Sequence, residues 1–146
     1  MKALVQRVNF ANLKIDGEIY SKIEKGMLVL LGIEKEDSQK DIDYIVKKVA
    51  NLRIFEDENG KMNLSVKDIQ GQIMLVSQFT LCADCKGGNR PSFINAQIPE
   101  IANEMYEEVI KKIKETGICV EVGKFGADMK INFENDGPVT IMIESK

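Results

Sequence analysis

Histidine is absent from this chain of 146 residues. That removes Ser-His-Asp and Cys-His catalysis, and every zinc site that relies on imidazole. A hydroxyl nucleophile would have to take a carboxylate or a lysine as its base, which is an unusual arrangement. The three cysteines are odd in number and imply no closed disulfide framework. A basic excess is missing as well. The net charge is −3 and the pI about 5.2, which argues against a protein that coats nucleic acid through a broad cationic face, though not against one that meets RNA through a local patch. Long apolar runs are lacking too: the longest, Met27 to Ile33, is far too short to cross a bilayer. The opening Met1–Arg7 alternates and meets Arg7 too early for a signal-peptide core, so the expectation is a soluble, cytoplasmic protein with no membrane partner.

What is present is an ordinary globular composition, 44% hydrophobic and 29% charged, without repeats or a Ser/Gly/Pro-rich linker. A domain of this size buries about 68–70% of its unfolded surface and folds without staples. One domain over 1–146 is expected. Its central stretch is Gly71-Gln72-Ile73-Met74-Leu75-Val76-Ser77-Gln78-Phe79-Thr80-Leu81. Continuous apolar residues suggest a strand covered on both faces, here running through residue 81. Its far end carries two hydroxyls and an amide, placed where a scaffold can fix their direction. The plainer reading is a core strand running out into a loop.

Around it, Ala3–Val8 and Phe10–Ile15 read as strand material, with Asp16-Gly17 turning into Glu18–Ile23. Met27–Ile33 follows as a central strand. Asp37 or Ser38 can cap a helix to about Leu52, with Ile42, Ile45, Val46, Val49 and Leu52 on one face. Asp57-Glu58-Asn59-Gly60 is a turn. Residues 82–98 form the one long loop, with two glycines and two cations, and such loops are often functional. Pro99 suits the first turn of a second helix ending near Thr116, stopped by Gly117, with Ile101, Met105, Val109, Ile110 and Ile113 facing the core. Lys111, Lys112 and Lys114 fit the negative end of that helix better than an RNA contact. Ile118–Val122, Met129–Asn135 and Val139–Ile143 close the chain, the last two expected as a hairpin about Asp136-Gly137. Strands, helix, strands, helix, strands make an α+β domain.

Candidate sites carry alternatives. Cys82-x-x-Cys85 lacks two good further ligands for zinc, and Lys86-Gly87-Gly88 does not open the helix a redox dithiol needs, so the pair reads as incidental. In an ideal strand Ser77 and Phe79 share one face while Gln78 and Thr80 share the other, so both hydroxyls meet one substrate only if the chain bends. At a strand end the amides of Phe79 and Thr80 lack ladder partners and can hold a developing oxyanion. Arg7, among apolar neighbours, either snorkels or is held inward for a carbonyl or an anion. Gly137-Pro138 begins a strand after a turn, or presents a rigid backbone with exposed carbonyls, and the isomer of its peptide bond is not readable from sequence.

At these residues the chain resembles the D-aminoacyl-tRNA deacylases. The matching segments are Ser77–Leu81, Arg90-Pro91-Ser92-Phe93 and Asn135–Thr140, with Ala3–Val8, Gly60–Leu64 and Phe125–Met129 in the same order. The resemblance implies a fold of mostly antiparallel, barrel-like sheet with two main helices, and a homodimeric, cofactor-free and metal-free hydrolase of the ester between a D-amino acid and tRNA. It also implies action on glycyl-tRNA. Carried over, Ser77, Gln78, Phe79 and Thr80 line the active site, and Gly137 and Pro138, joined by a cis bond, enter it from the other subunit to reject L-residues. Arg7 supports that inserted motif, while Phe125 and Met129 lie near the terminal adenosine. The cysteine pair lies outside the family pattern. Two rivals stay open: a hydrolase of other small esters using Thr80 as nucleophile, and a nucleic-acid-binding module without the chemistry.

Overall fold

The computed structural model describes residues 1–146. In chain order its elements are β1 Lys2–Ile15, β2 Glu18–Ile23, β3 Gly26–Gly32, α1 Gln39–Asn51, β4 Phe55–Glu56, β5 Met62–Leu64, β6 Gln72–Ser77, a 3-10 turn Phe79–Cys82, α2 Pro99–Glu115, β7 Cys119–Val122 and β8 Lys130–Glu144. The main sheet runs β2-β1-β3-β6-β7, and β8 pairs along the other side of β1. The β1 pairings are antiparallel, whereas β3-β6 and β6-β7 are parallel. The path curls until the Ser21 hydroxyl on β2 donates to the Val122 carbonyl on β7 at 2.9 Å, which makes the sheet nearly barrel-shaped.

The period of two along β3 and β6 explains the unbroken apolar runs of Met27–Leu31 and Ile73–Val76. Met27, Val29 and Leu31 with Ile73 and Leu75 face the helices, while Leu28 with Met74 and Val76 faces the barrel interior beside Val8, Ala11 and Leu13. Ile73, Met74, Leu75 and Val76 are all at most 1% exposed. Each such side chain stabilises the fold by roughly 1.5–3 kcal/mol relative to exposure, so this strand is a rigid place from which to hang a site.

Both helices lie on the outer face of the sheet. Ser38 starts α1: its N–H and its hydroxyl both donate to the Asp41 carboxylate at 2.8 Å. The apolar face of α2 is Ala102, Tyr106, Val109, Ile110 and Ile113. Ile101, expected inward, is 41% exposed, because the first turn of α2 overhangs a cleft instead of the core. Lys112 donates to Asp43 at 2.6 Å and so ties α2 to α1, in keeping with a structural use of the lysines there.

Two expectations are corrected. The central strand does not run to residue 81: it ends at Ser77, and Phe79–Cys82 coils into the 3-10 turn. Nor do residues 135–138 make a hairpin. Both halves of β8 pair with the same strand, Val8 with Asn135 and Gln6 with Thr140, so Asp136 to Val139 stand opposite Arg7 alone. The Asp-Gly signal marks a wide bulge within one long strand. Gly137 has φ of +126°, a value L side chains rarely adopt, and the Gly137-Pro138 bond is cis.

Candidate active site

A cleft of about 520 Å³ opens where β6 gives way to the 3-10 turn. Its walls are Ile33 and Val76 to Phe79 on one side, Gln97 just before α2 with Pro99 and Ala102 at the start of that helix, and Phe125, Gly126, Ala127, Met129 and Ile131 opposite. No charged side chain lines it. In so apolar a space the dipoles of a few backbone groups act with little screening.

The turn is fixed from behind by β3. A Cβ on Gly32 would come within 2.9 Å of the Leu81 Cβ and 3.2 Å of the Gln78 carbonyl, so glycine there lets the turn close on the strand. The Gln78 N–H donates to the Leu31 carbonyl at 2.7 Å, and the chain then bends at Gln78, whose φ and ψ are −143° and 81°. Beyond the bend, Phe79 and Thr80 open the turn, where amides have no partner within it. Neither of these N–H groups donates to a loop carbonyl or a side chain. The bend meets the condition that an ideal strand failed, since it turns Thr80 back so that the Gln78 side-chain amide donates to its hydroxyl.

Ser77, Gln78, Phe79, Phe125 and Met129 thus come together around one cavity. Thr80 sits exposed just outside its lining, with no carboxylate or lysine on its hydroxyl. Phe79 is 56% exposed and meets Phe93 edge-on at 5.0 Å between ring centroids, so the rim is aromatic. Behind the cleft the Tyr106 hydroxyl donates to the Leu75 carbonyl at 2.7 Å, and burial holds that phenol's pKa well above its ordinary value. It is a fixed donor bracing β6.

Arg7, Gly137 and Pro138 are not in the cleft of their own chain. Arg7 does not snorkel. It is 6% exposed, donating from Nη1 to the Ile54 carbonyl at 2.7 Å and from Nε to the Asp136 carbonyl at 3.1 Å. The Asp136 carboxylate is 3.2 Å from the same Nε. Arg7 therefore fills the inside of the bulge and holds it from beneath, while Gly137 and Pro138 are exposed at its tip. Asn135 does a second part of this work: its side-chain oxygen accepts from Val139 N–H at 3.0 Å and its amide donates to Thr140 Oγ1 at 2.9 Å. The sequence places Asn135 at a strand end and in the segment shared with the family, but does not show this bracing role. Nor does the sequence point to Gln97, placed by its N–H bond to the Ile33 carbonyl, or to Pro99 and Ala102, placed by how α2 docks.

Cys82 is buried with its thiol toward the Ile33 carbonyl at 3.5 Å, while Cys85 is exposed. Burial and the nearby Glu34 push the Cys82 thiol pKa up, the wrong direction for a nucleophile or a thiolate ligand.

Residues 4–144 match the model of the D-Tyr-tRNA(Tyr) deacylase family. A D-aminoacyl-tRNA deacylase of Thermosipho melanesiensis is 56% identical over 147 aligned residues, covering 100% of this chain and 98% of the relative. One from Clostridioides difficile is 52% identical over 99% of this chain and 97% of its own length. Among solved structures, that of a c-Myc DNA unwinding element binding protein superposes with a TM-score of 0.95 at 45% identity, covering 100% of this chain and 99% of that one. With the family model spanning nearly its whole length and relatives above half identity, the chain belongs to the D-Tyr-tRNA(Tyr) deacylase family.

Proposed function

We propose that the chain hydrolyses the ester of D-aminoacyl-tRNA, and that of glycyl-tRNA, releasing free tRNA and the amino acid. The observation that carries this reading is the uncharged cleft with the unpartnered amides of Phe79 and Thr80 at its mouth. An ester carbonyl placed against those amides develops negative charge as water attacks, and preorganised N–H groups bind that charge more tightly than the starting carbonyl. The hydroxyl beside the ester on the terminal ribose activates the water, so no histidine is required. Gln78 and Phe79 shape the pocket, with Phe125 and Met129 against the terminal adenosine.

Selection against L-residues falls to Gly137 and Pro138, which enter the cleft of a second copy of the chain. Supporting this are their exposure at the tip of a bulge outside the lining of their own cleft, and Arg7, which is anchored on the Ile54 carbonyl and donates to the Asp136 carbonyl at the base of the bulge. Accommodating one misplaced methyl by overpacking typically costs about 1–3 kcal/mol, roughly tenfold to a hundredfold. Stronger rejection needs a wall that does not yield, and backbone fastened at its base is stiffer than a side chain. Such a pocket excludes by shape and makes few contacts with the D side chain, so many D-residues are accepted.

The direct test is deacylation of D-tyrosyl-tRNA against L-tyrosyl-tRNA and glycyl-tRNA, with the oligomeric state measured by light scattering. The reading expects a dimer that cleaves the first and third and spares the second. Equal cleavage of the D and L substrates, or of neither, overturns it. The second outcome would favour nucleic-acid binding without chemistry, a reading to which the name of the DNA unwinding element binding relative lends weight.

A further inference from the structure

The active-site cleft is one of two cavities that share a wall. Glu34 and Ala96 form an antiparallel bridge, flanked by bonds of 3.0 Å from Lys35 N–H to the Asn95 carbonyl and from Gln97 N–H to the Ile33 carbonyl. Ile33 and Gln97 line the cleft, whereas Glu34 and Asn95, one and two residues away, line a separate groove of about 490 Å³. The far side of that groove is Cys82 to Lys86, the start of the long loop.

That loop is closed at its base and cationic at its tip. Asp84 and Ser92 exchange both backbone hydrogen bonds, at 2.8 and 2.9 Å, and the same register carried outward sets Lys86 across from Arg90. These two are the only charged residues from Cys85 to Pro99. Both are exposed, and neither takes part in any ion pair. The carboxylates beside them are already engaged: Asp84 accepts from the Lys86 N–H at 2.8 Å, and Glu34 is paired with Lys2 at 3.4 Å. The residue after the loop's closing pair is Phe93, whose ring meets Phe79 on the cleft rim. A chain of net charge −3 holds a polyanion only where cations are concentrated and free, and this loop is such a place.

We propose that the groove and the 84–92 loop form a subsite for the nucleotide that precedes the terminal adenosine. Lys86 and Arg90 contact the phosphates on either side of it, and Phe93 offers its ring for base stacking. The single-stranded 3′ end of the tRNA crosses the ridge between groove and cleft, so that the last nucleotide enters the cleft with the ester foremost. This rests on the deacylase reading and adds to it the means by which a small acidic protein grips its RNA.

The test compares D-tyrosyl-tRNA with D-tyrosyl-adenosine, which carries the same ester and lacks the phosphates. The variant is Lys86→Ala with Arg90→Ala. With the tRNA substrate, KM is expected to rise by about tenfold while kcat stays within about twofold, and the slope of log(kcat/KM) against log salt is expected to shrink by about 1.4 for two lost single-strand phosphate contacts. With the adenosine ester the double variant and wild type are expected to coincide, and Lys86→Arg with Arg90→Lys is expected to restore the tRNA values. Parallel loss on both substrates overturns the proposal, because the loop would then be shaping the cleft. Unchanged KM and salt slope with tRNA overturn it as well. Wild type that cleaves neither D ester overturns the deacylase reading itself, and this proposal with it.

Discussion

Replacing Arg7 by methionine keeps a stem of similar length and removes the guanidinium from under the bulge. Two hydrogen bonds from a charged donor are lost, one to the Ile54 carbonyl at 2.7 Å and one to the Asp136 carbonyl at 3.1 Å. Bonds of this kind contribute about 1.5–3 kcal/mol each. The ion pair to the Asp136 carboxylate, which is 38% exposed, is discounted for screening and adds at most about 1 kcal/mol. Recovered desolvation of the guanidinium offsets part of the sum, so a net loss of about 3 kcal/mol is expected. A chain of this length loses about 2–4 °C of Tm per kcal/mol, which puts the variant about 6–12 °C below wild type yet still folded at 25 °C. Both the melt and the D-to-L ratio of deacylation rates are to be measured, the latter well below the variant's Tm. The ratio is expected to fall because L-substrate turnover rises. A melt equal to that of wild type would refute the role of these bonds in holding the bulge. A lowered melt with an unchanged ratio would refute the bulge as the chiral wall.

Gly32→Ala places a methyl against Leu81 and the Gln78 carbonyl, and the turn must move outward. The expected result is about 1–3 kcal/mol of destabilisation in a denaturant melt and a larger fall in kcat than in the affinity for substrate, since the amides leave their positions. Thr80→Ala is expected to leave most of the rate, because its hydroxyl has no base; complete loss with an intact fold would establish Thr80 as the nucleophile. Asp41 supplies a pH dependence. Burial alone would raise its pKa, but hydrogen bonds from Ser145 and Ser38 outweigh this and bring it from 3.8 to about 2. A depressed folded pKa gives stability that is present above the unfolded value and is lost as pH falls from 3.8 toward 2. The stability gap between wild type and Asp41→Asn, measured by urea unfolding, is therefore expected to be constant above pH 5 and to narrow through that window. A gap that is flat down to pH 2 contradicts it.

The doubly covered strands are legible because β3 and the middle of β6, Ile73 to Val76, are apolar on successive residues, and a strand buried on both faces requires that. Ser77, Gln78 and Phe79 were legible as the end of such a strand, and Phe125 and Met129 through the family resemblance. Where the strand stops was not legible. The stop is set by Gly32, about 45 residues earlier, which admits the turn against β3, and no local propensity around Gln78 carries that contact. The bulge is not legible for a related reason. Asp-Gly serves a hairpin and a bulge equally well, and only the long pairing partner β1 decides between them. Helical spacing puts Ile101 inward and holds for the rest of α2, but the first turn of that helix overhangs the cleft and leaves Ile101 exposed. Tyr106 is absent from the expected apolar face of α2, yet it is buried there with its hydroxyl satisfied by the Leu75 carbonyl.

The pairing of β8 has a consequence for how this site changes among relatives. Residues 140–144 are registered against 2–6, and residues 130–135 against 8–14. Each run is held by its own ladder, with the bulge between them answerable to neither. In an ordinary strand pair an inserted or deleted residue turns every side chain beyond it to the wrong face. Here such a change is absorbed at the tip. The reach and composition of the Gly137-Pro138 segment can be altered while both ladders, and the core beneath them, stay in register.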